Sequence, residues 1–284
     1  MLFYIYAVVT NGNIYKLLII VFFMVKANYH THTTGSDGKM TPRELIDLAI
    51  ANKLEIIGIT DHIELPCLNE GIFLDSDSKG FYSDEHYNEL RSLQKEYAGK
   101  IKVLVGAEFD WLDRHRKQVL KKRKEREYDR DALFVSIHNL PFEDKYLPID
   151  EDSNIFEELI RSYGGVRNLV KEYYKQIRDA AKTREFGVIG HINKIAMFNK
   201  EDLFFSESDN WCRNEQMKTL EVIAQNNMCL DINTSGFRTY DLPYINLDMI
   251  KEAKRLGIKM QVGSDVHNSE DIVRGLEEAN KLIQ

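Results

Sequence analysis

From Val25 onward the chain repeats one pattern, a short apolar run followed by an amphipathic stretch and then another short apolar run. Apolar runs separated by helix-length segments mark β–α units, and successive units of this kind lay their strands parallel. The runs that read as strands are Val25–Tyr29, Leu54–Thr60, Ile101–Ala107, Ala132–Ile137, Gly187–Gly190, Leu230–Asn233 and Ile258–Gly263. Seven parallel strands with helices between them predict an α/β fold.

The intervening segments carry helix signals. Thr41-Pro42-Arg43-Glu44 is a capping box with proline at the first helical position, leading into Leu45, Leu48 and Ala49. Ser83 can cap a helix bearing Tyr87, Leu90 and Leu93. Asn154 to Thr183 is a long amphipathic stretch with an interruption expected at Gly164-Gly165. Met249, Ala253 and Leu256 repeat at helical spacing before Gly257, a suitable residue just past a helix end. The longest irregular piece, Glu64 to Gly80, reads as a lid or entry loop.

The first residues do not share the pattern. Leu17 to Val25 is apolar throughout, but Asn11, Gly12, Asn13 and Lys16 interrupt the stretch before it. A spanning helix needs roughly 18 consecutive apolar residues. A secretory signal needs a basic start and a small-residue cleavage site, and neither is present. Residues 1–23 therefore read as an apolar extension, from a mis-assigned start or a leader, with Met24 opening a single domain over residues 24–284. No shift of composition, linker or repeat divides that domain. The formal net charge of −7 argues against nucleic acid or an anionic membrane as partner. The basic run Arg114 to Arg126 has acidic residues interleaved or nearby, and reads as a solvated helix face. Cys67, Cys212 and Cys229 form no CxxC pair, as expected of thiols in a reducing, cytoplasmic setting.

The chemistry-bearing residues gather at strand ends. His30 and His32 end the first run, and alternation along a strand puts both on one side. The second run ends in Asp61-His62, the third in Glu108, the fourth in His138, the fifth in His191, and the seventh in Asp265 and His267. Six of the eight histidines thus fall at predicted carboxyl ends, leaving His86 and His115 on helices with no role assigned. Glu64 reads as a loop charge or a partner to His62. A single histidine at a strand end is usually a packing residue. Six together, with Asp37, Glu108 and Asp265, would be unfavourable to bury without a compensating cation. In a parallel α/β barrel all these ends open on one face. The set is too rich for one ion and suits two or three divalent cations. Mixed imidazole and carboxylate donors admit zinc, iron or manganese.

These motifs resemble the polymerase and histidinol phosphatase (PHP) superfamily. The segment His30-Thr-His32-Thr-Thr-Gly-Ser36-Asp37-Gly38 is similar to its first motif, and the resemblance runs from about Val25 to Gln284. It implies a distorted seven-stranded (β/α) barrel, TIM-like, with a trinuclear metal site. It implies that His30, His32, Glu108 and Asp265 bind a first ion. Glu108 would bridge to a second held by His138 and His191, and Asp37, His62 and His267 would hold the third. Asp231-Ile-Asn-Thr-Ser-Gly-Phe-Arg238, Ser136-Ile-His138 and the helix with Tyr173-Tyr174 are similar to the histidinol-phosphate phosphatase branch. The family often carries basic residues shortly after Gly-His, whereas Ala196-Met197 stand here, with Lys194 or Lys200 as substitutes.

The expected function is hydrolysis of a phosphate monoester, L-histidinol phosphate, in histidine biosynthesis. Cations would acidify an attacking water and neutralise the phosphoryl oxygens. Arg238 and Lys194 are the expected substrate contacts, and Asp61 or Asp265 the expected proton donor to the leaving group. A nuclease or nucleotide phosphatase of the same superfamily, or a non-catalytic scaffold, is the alternative.

Overall fold

The computed structural model describes residues 2–10, 13–21, 26–63 and 82–284. The expected loop at Glu64 to Gly80, with Cys67, and the expected start at Met24 lie outside these residues. β1 (Leu2–Thr10) and β2 (Asn13–Val21) pair antiparallel, from Leu2 opposite Val21 to Thr10 opposite Asn13, in a sheet of their own. Among the described residues no helix is long and apolar enough to cross a membrane.

After β3 (Ala27–Asn28) the expected alternation holds. α1 (Pro42–Ala51) begins after Thr41, whose side chain accepts from the Glu44 N–H while Glu44 accepts from the Thr41 backbone. That reciprocal cap is worth about 1 kcal/mol. β4 (Ile56–Ile59) follows, then α2 (Asp84–Glu96), capped by Ser83. Then come β5 (Lys102–Val105), β6 (Ala107–Asp110), α3 (Arg116–Arg123) and β7 (Leu133–Ser136). β8 (Asn139–Phe142) and β9 (Lys145–Pro148) form an antiparallel hairpin that the sequence pattern did not announce. The stretch expected as one long helix is two, α4 (Ser153–Ser162) and α5 (Val166–Lys182), parted at Gly164 and Gly165, which both take positive φ. The chain closes with β10 (Val188–Ile189), α6 (Asn210–Gln225), β11 (Cys229–Asn233), α7 (Leu247–Arg255), β12 (Met260–Gly263) and α8 (Leu276–Ile283). Gly257 follows α7 with φ of 69°, as its place past a helix end requires.

One expectation is corrected. The parallel strands form two sheets, β12-β11-β10-β7-β6 and β3-β4-β5, rather than a single closed seven-stranded barrel. One of the two gaps between the sheets falls at Gly106. A Cβ there would stand 1.8 Å from the Ala132 carbonyl oxygen, so only glycine permits this approach. The run expected as one strand is kinked at that point into β5, which pairs with β4, and β6, which pairs with β7. Isolated contacts span the gaps: Thr31 bridges to Val266, and His62 to Glu108. One seam passes through His62 and Glu108 of the expected site, and the other lies between its residues His30 and His32 on one side and Asp265 and His267 on the other.

Alternation along each strand divides core from site. Leu133 and Val135 of β7, Ala107 and Phe109 of β6, and Leu230 and Ile232 of β11 enter one hydrophobic core with helix residues such as Leu45, Leu90 and Ile177. Of the intervening residues Ser136, Glu108, Asp110, Asp231 and Asn233 are polar, while Phe134 is apolar and packs on the site side.

Candidate metal centre

Glu108, 1% exposed, is the hub. Its Oε2 lies 3.1 Å from His30 Nε2, 3.4 Å from His32 Nε2 and 3.5 Å from His62 Nδ1. Its Oε1 lies 3.0 Å from His191 Nε2 and 3.7 Å from His138 Nε2, and accepts from the Ser136 hydroxyl. Asp265 Oδ1 stands 3.1 Å from His32 Nε2 and 3.8 Å from His30 Nε2. Asp37, 45% exposed at its side chain, completes an outer group, 3.1 Å from His267 Nε2 and 3.8 Å from both His62 Nε2 and His32 Nδ1. All nine expected ligand side chains therefore meet at one mouth.

Donor atoms within 4.8 Å of one another fall into three groups: His30, His32 and Asp265; Glu108, His138 and His191; and His32, Asp37, His62 and His267. The donor set fits divalent cations on a second count. Both ring nitrogens of the fully buried His32 lack a hydrogen-bond partner, although carboxylate oxygens lie close by. Buried ring nitrogens that lie near carboxylates yet lack a hydrogen-bond partner are groups that a shared ion would satisfy. Asp265 takes φ of 54°, a strained backbone for a non-glycine residue, at this same place.

The electrostatics show buried carboxylates that draw positive charge to the site. Burial disfavours the charged form of Glu108, yet His30, His138 and His62 outweigh it and hold the carboxyl well below its usual range. Burial likewise opposes the His30 imidazolium, but Glu108, Asp265 and Asp231 push its pKa well up. Burial and the neighbouring His267 and His62 lower His32 to about 4, leaving it neutral and able to ligate.

Side chains one step out orient the ring nitrogens. His30 Nδ1 is 2.9 Å from Asp231 Oδ2, and His138 Nδ1 is 2.7 Å from Asp110 Oδ1, so both rings present Nε2 to the mouth. Phe134 packs against His30 with ring centroids 4.4 Å apart. Asp110 was legible in principle, two residues after Glu108 on the same strand side. Asp231, within a quoted motif, and Ser136 were not given these roles, and nothing in the pattern around His86 pointed to its contact with Asp61. His115 faces Gln118 on the surface.

The other expected residues divide. Lys194 is 13% exposed at its side chain, 3.3 Å from Asp150 and 3.9 Å from Asp265, with its ammonium over the Tyr244 ring. Burial opposes its charge, but Asp150 and Asp265 keep it firmly protonated. Lys200 pairs instead with Asp241. Arg238 pairs with Asp271, and no ion pair among the described residues links it to the nine. Asp61 is fully buried with both oxygens occupied, by the Thr33 N–H and Ser36 hydroxyl on one and the Thr33 hydroxyl and His86 Nε2 on the other. Burial alone would raise its pKa, but His86 outweighs it and keeps the carboxyl ionised.

Comparison with known proteins points the same way. A histidinol-phosphatase of Bacillus subtilis (strain 168) is 30% identical over 262 residues, 88% of this chain and 96% of that protein. The crystal structure of histidinol phosphate phosphatase from Lactococcus lactis, complexed with zinc, L-histidinol and phosphate, matches with a TM-score of 0.70 at 23% identity. It covers 91% of this chain and 92% of that one. A Listeria monocytogenes structure matches with a TM-score of 0.76 at 21% identity, over 89% of this chain and 99% of that one. The PHP domain model matches residues 28–235, most of the chain. With the site geometry and these relatives together, the chain belongs to the PHP domain family.

Proposed function

We propose that this chain is a metal-dependent phosphatase that hydrolyses L-histidinol phosphate to L-histidinol and phosphate, a step of histidine biosynthesis. The observation that carries the metal chemistry is the division of Glu108, one oxygen towards His30 and His32 and the other towards His138 and His191. The substrate rests on the histidinol-phosphatase relative at 30% identity over most of both chains.

In this reading residues 24–284 are the catalytic domain. His30, His32, Glu108 and Asp265 hold one divalent ion, Glu108, His138 and His191 a second, and Asp37, His62 and His267 a third. Zinc, iron and manganese all suit these donors. Bound cations supply acidification of water and neutralisation of phosphoryl charge. The protein's own part is to fix the ligands and seat the ester. Lys194, held by Asp150 and over Tyr244, offers a buried ammonium to a phosphate oxygen. Asp61 and Asp265 both have lowered pKa values, which favours water over either carboxyl as the source of the leaving alkoxide's proton.

The test is phosphate release from a panel that includes L-histidinol phosphate, nucleotides and an oligonucleotide, with chelator and metal add-back. Turnover of L-histidinol phosphate that chelation abolishes and metal restores is the expected result. Activity on oligonucleotides alone would replace the phosphatase with a nuclease. Absence of bound metal together with no activity after reconstitution would leave a scaffold.

A further inference from the structure

We infer that His86, in the first turn of α2, is a positioning residue for the outer metal group: acting through Asp61, it fixes the loop that carries Asp37 towards His62 and His267. The inference rests on the metal reading above and deepens it.

Asp61 receives four hydrogen bonds, three of them from the loop between His32 and Asp37. The Thr33 N–H donates at 2.5 Å, the Thr33 hydroxyl at 2.6 Å and the Ser36 hydroxyl at 2.8 Å. Asp61 also immediately precedes His62, so one buried carboxylate ties the loop bearing two ligands to the strand end bearing a third. The fourth donor is His86 Nε2 at 2.8 Å, from a helix outside that loop. Removing it would leave a buried anion short of a donor, and the loop bonds to that anion would no longer be held in one geometry.

The imidazole is fitted to the loop as well as bonded beneath it. A Cβ on Gly35 would stand 2.1 Å from His86 Nε2, so the ring occupies the space that any other residue at 35 would need. The Tyr82 N–H donates to the Gly35 carbonyl at 2.9 Å, and the Tyr82 ring meets His86 edge-on with centroids 5.2 Å apart. Ser83 caps the helix through the His86 N–H, which sets where the imidazole begins. The outer group needs such a clamp more than the inner ones. His62 and Asp37 are 26% and 45% exposed at their side chains, against 0% and 1% for His30 and Glu108, so little packing holds them otherwise.

The experiment counts ions by elemental analysis on the full chain, loaded with zinc or manganese and then dialysed against graded chelator. His86→Phe keeps an aromatic ring, slightly larger, and removes the donor, whereas His86→Gln keeps an N–H donor. Partners of this kind are worth about 10- to 100-fold in metal affinity. In His86→Phe the weakest-held equivalent is expected to leave at least about tenfold more readily, the remaining equivalents to stay, and His86→Gln to restore binding. Full retention with native affinity in His86→Phe overturns the inference. Parallel loss of every equivalent, with a lowered melting temperature in the metal-free form, also overturns it by reducing His86 to a packing residue. Should His86→Phe fail to fold, Gly35→Ala applies the same test from the other side, since its methyl group displaces the ring from Asp61. A wild-type protein that binds no ion would instead remove the metal reading itself, and this inference with it.

Discussion

The Nε2 atoms of His138 and His191 lie 3.0 Å apart. Two neutral imidazoles at that distance need a proton or a cation between them. Burial disfavours charge on His138, but Asp110 and Glu108 outweigh it and carry its pKa up to about 10. Burial and Lys194 lower that of His191. At pH 8 the metal-free pair therefore holds a proton, supplied by His138.

A cation taking both nitrogens must expel that proton. Adding zinc or manganese to metal-free protein at pH 8 in weak buffer should release at least one proton per chain, read by pH-stat titration. The sign follows from the raised pKa: His138 contributes fully well below pH 10 and ceases to contribute above it. Metal uptake at pH 8 with no proton release would refute the shared-proton account.

Glu108→Gln tests the bridge. A carboxamide keeps the size of the side chain but replaces one acceptor oxygen with a donor, so it cannot serve His30 and His191 sides alike. Partners one step removed from an ion are worth about 10- to 100-fold in affinity or activity. A residue shared by two groups should exceed this, so turnover should fall by more than about 100-fold with a lowered metal count. Near-native stoichiometry in this variant would remove Glu108 from the bridging role.

The sequence carried most of this site because the chemistry follows strand ends, which apolar runs locate well. His30, His62, His138 and His191 each stand where a short run stops, and the fold brings them together. What the sequence could not show depends on contacts across the fold. The break falls at Gly106, where the Ala132 carbonyl leaves no room for a side chain, and no local pattern encodes that neighbour. The β8–β9 hairpin follows His138 directly, and Pro141 within it disguises a strand. Asp61 was expected as a proton donor, and no local pattern showed that Thr33, Ser36 and His86 would occupy its oxygens. Arg238 was expected as a phosphate contact, and its pairing with Asp271, far along the chain, is a contact that no local pattern announces.

Lys194 and Arg238 can be separated by kinetics. A charge-assisted hydrogen bond to phosphate contributes about 1.5–3 kcal/mol, so Lys194→Met should lower kcat/KM by about 10- to 100-fold. Arg238→Met should change it by less than about threefold, because the guanidinium is engaged by Asp271. The reverse ranking would restore Arg238 as the phosphate contact and leave Lys194 as a partner for Asp150.

Gly106→Ala tests the kink between β5 and β6. The added methyl meets a backbone oxygen 1.8 Å away, which cannot swing aside as a side chain would. Forcing atoms into a packed interior costs about 1–3 kcal/mol, and here the strain falls on the strand that delivers Glu108. Chemical denaturation should show a loss of at least about 1 kcal/mol and a weaker metal complex. An unchanged midpoint would mean that the seam between the two sheets yields easily.

The two described cysteines give a prediction outside the site. Cys212 is fully buried, and burial, then Glu207 and Asp209, push its thiol from an ordinary 9.0 up to about 12. Burial, then Asp231 and Asp131, push Cys229 to about 12 as well. Only the thiolate attacks a disulfide reagent, so both should be inert at pH 8 while the chain is folded. In a Cys67→Ser background, a chromogenic disulfide should report no native equivalents and two after denaturation. The same shift has a consequence for stability. The folded state favours the protonated thiols, so their contribution is intact below pH 9 and fades as pH rises through about 12. Rapid labelling of one equivalent in the native protein would show that a thiol reaches solvent and that its surroundings do not hold it protonated.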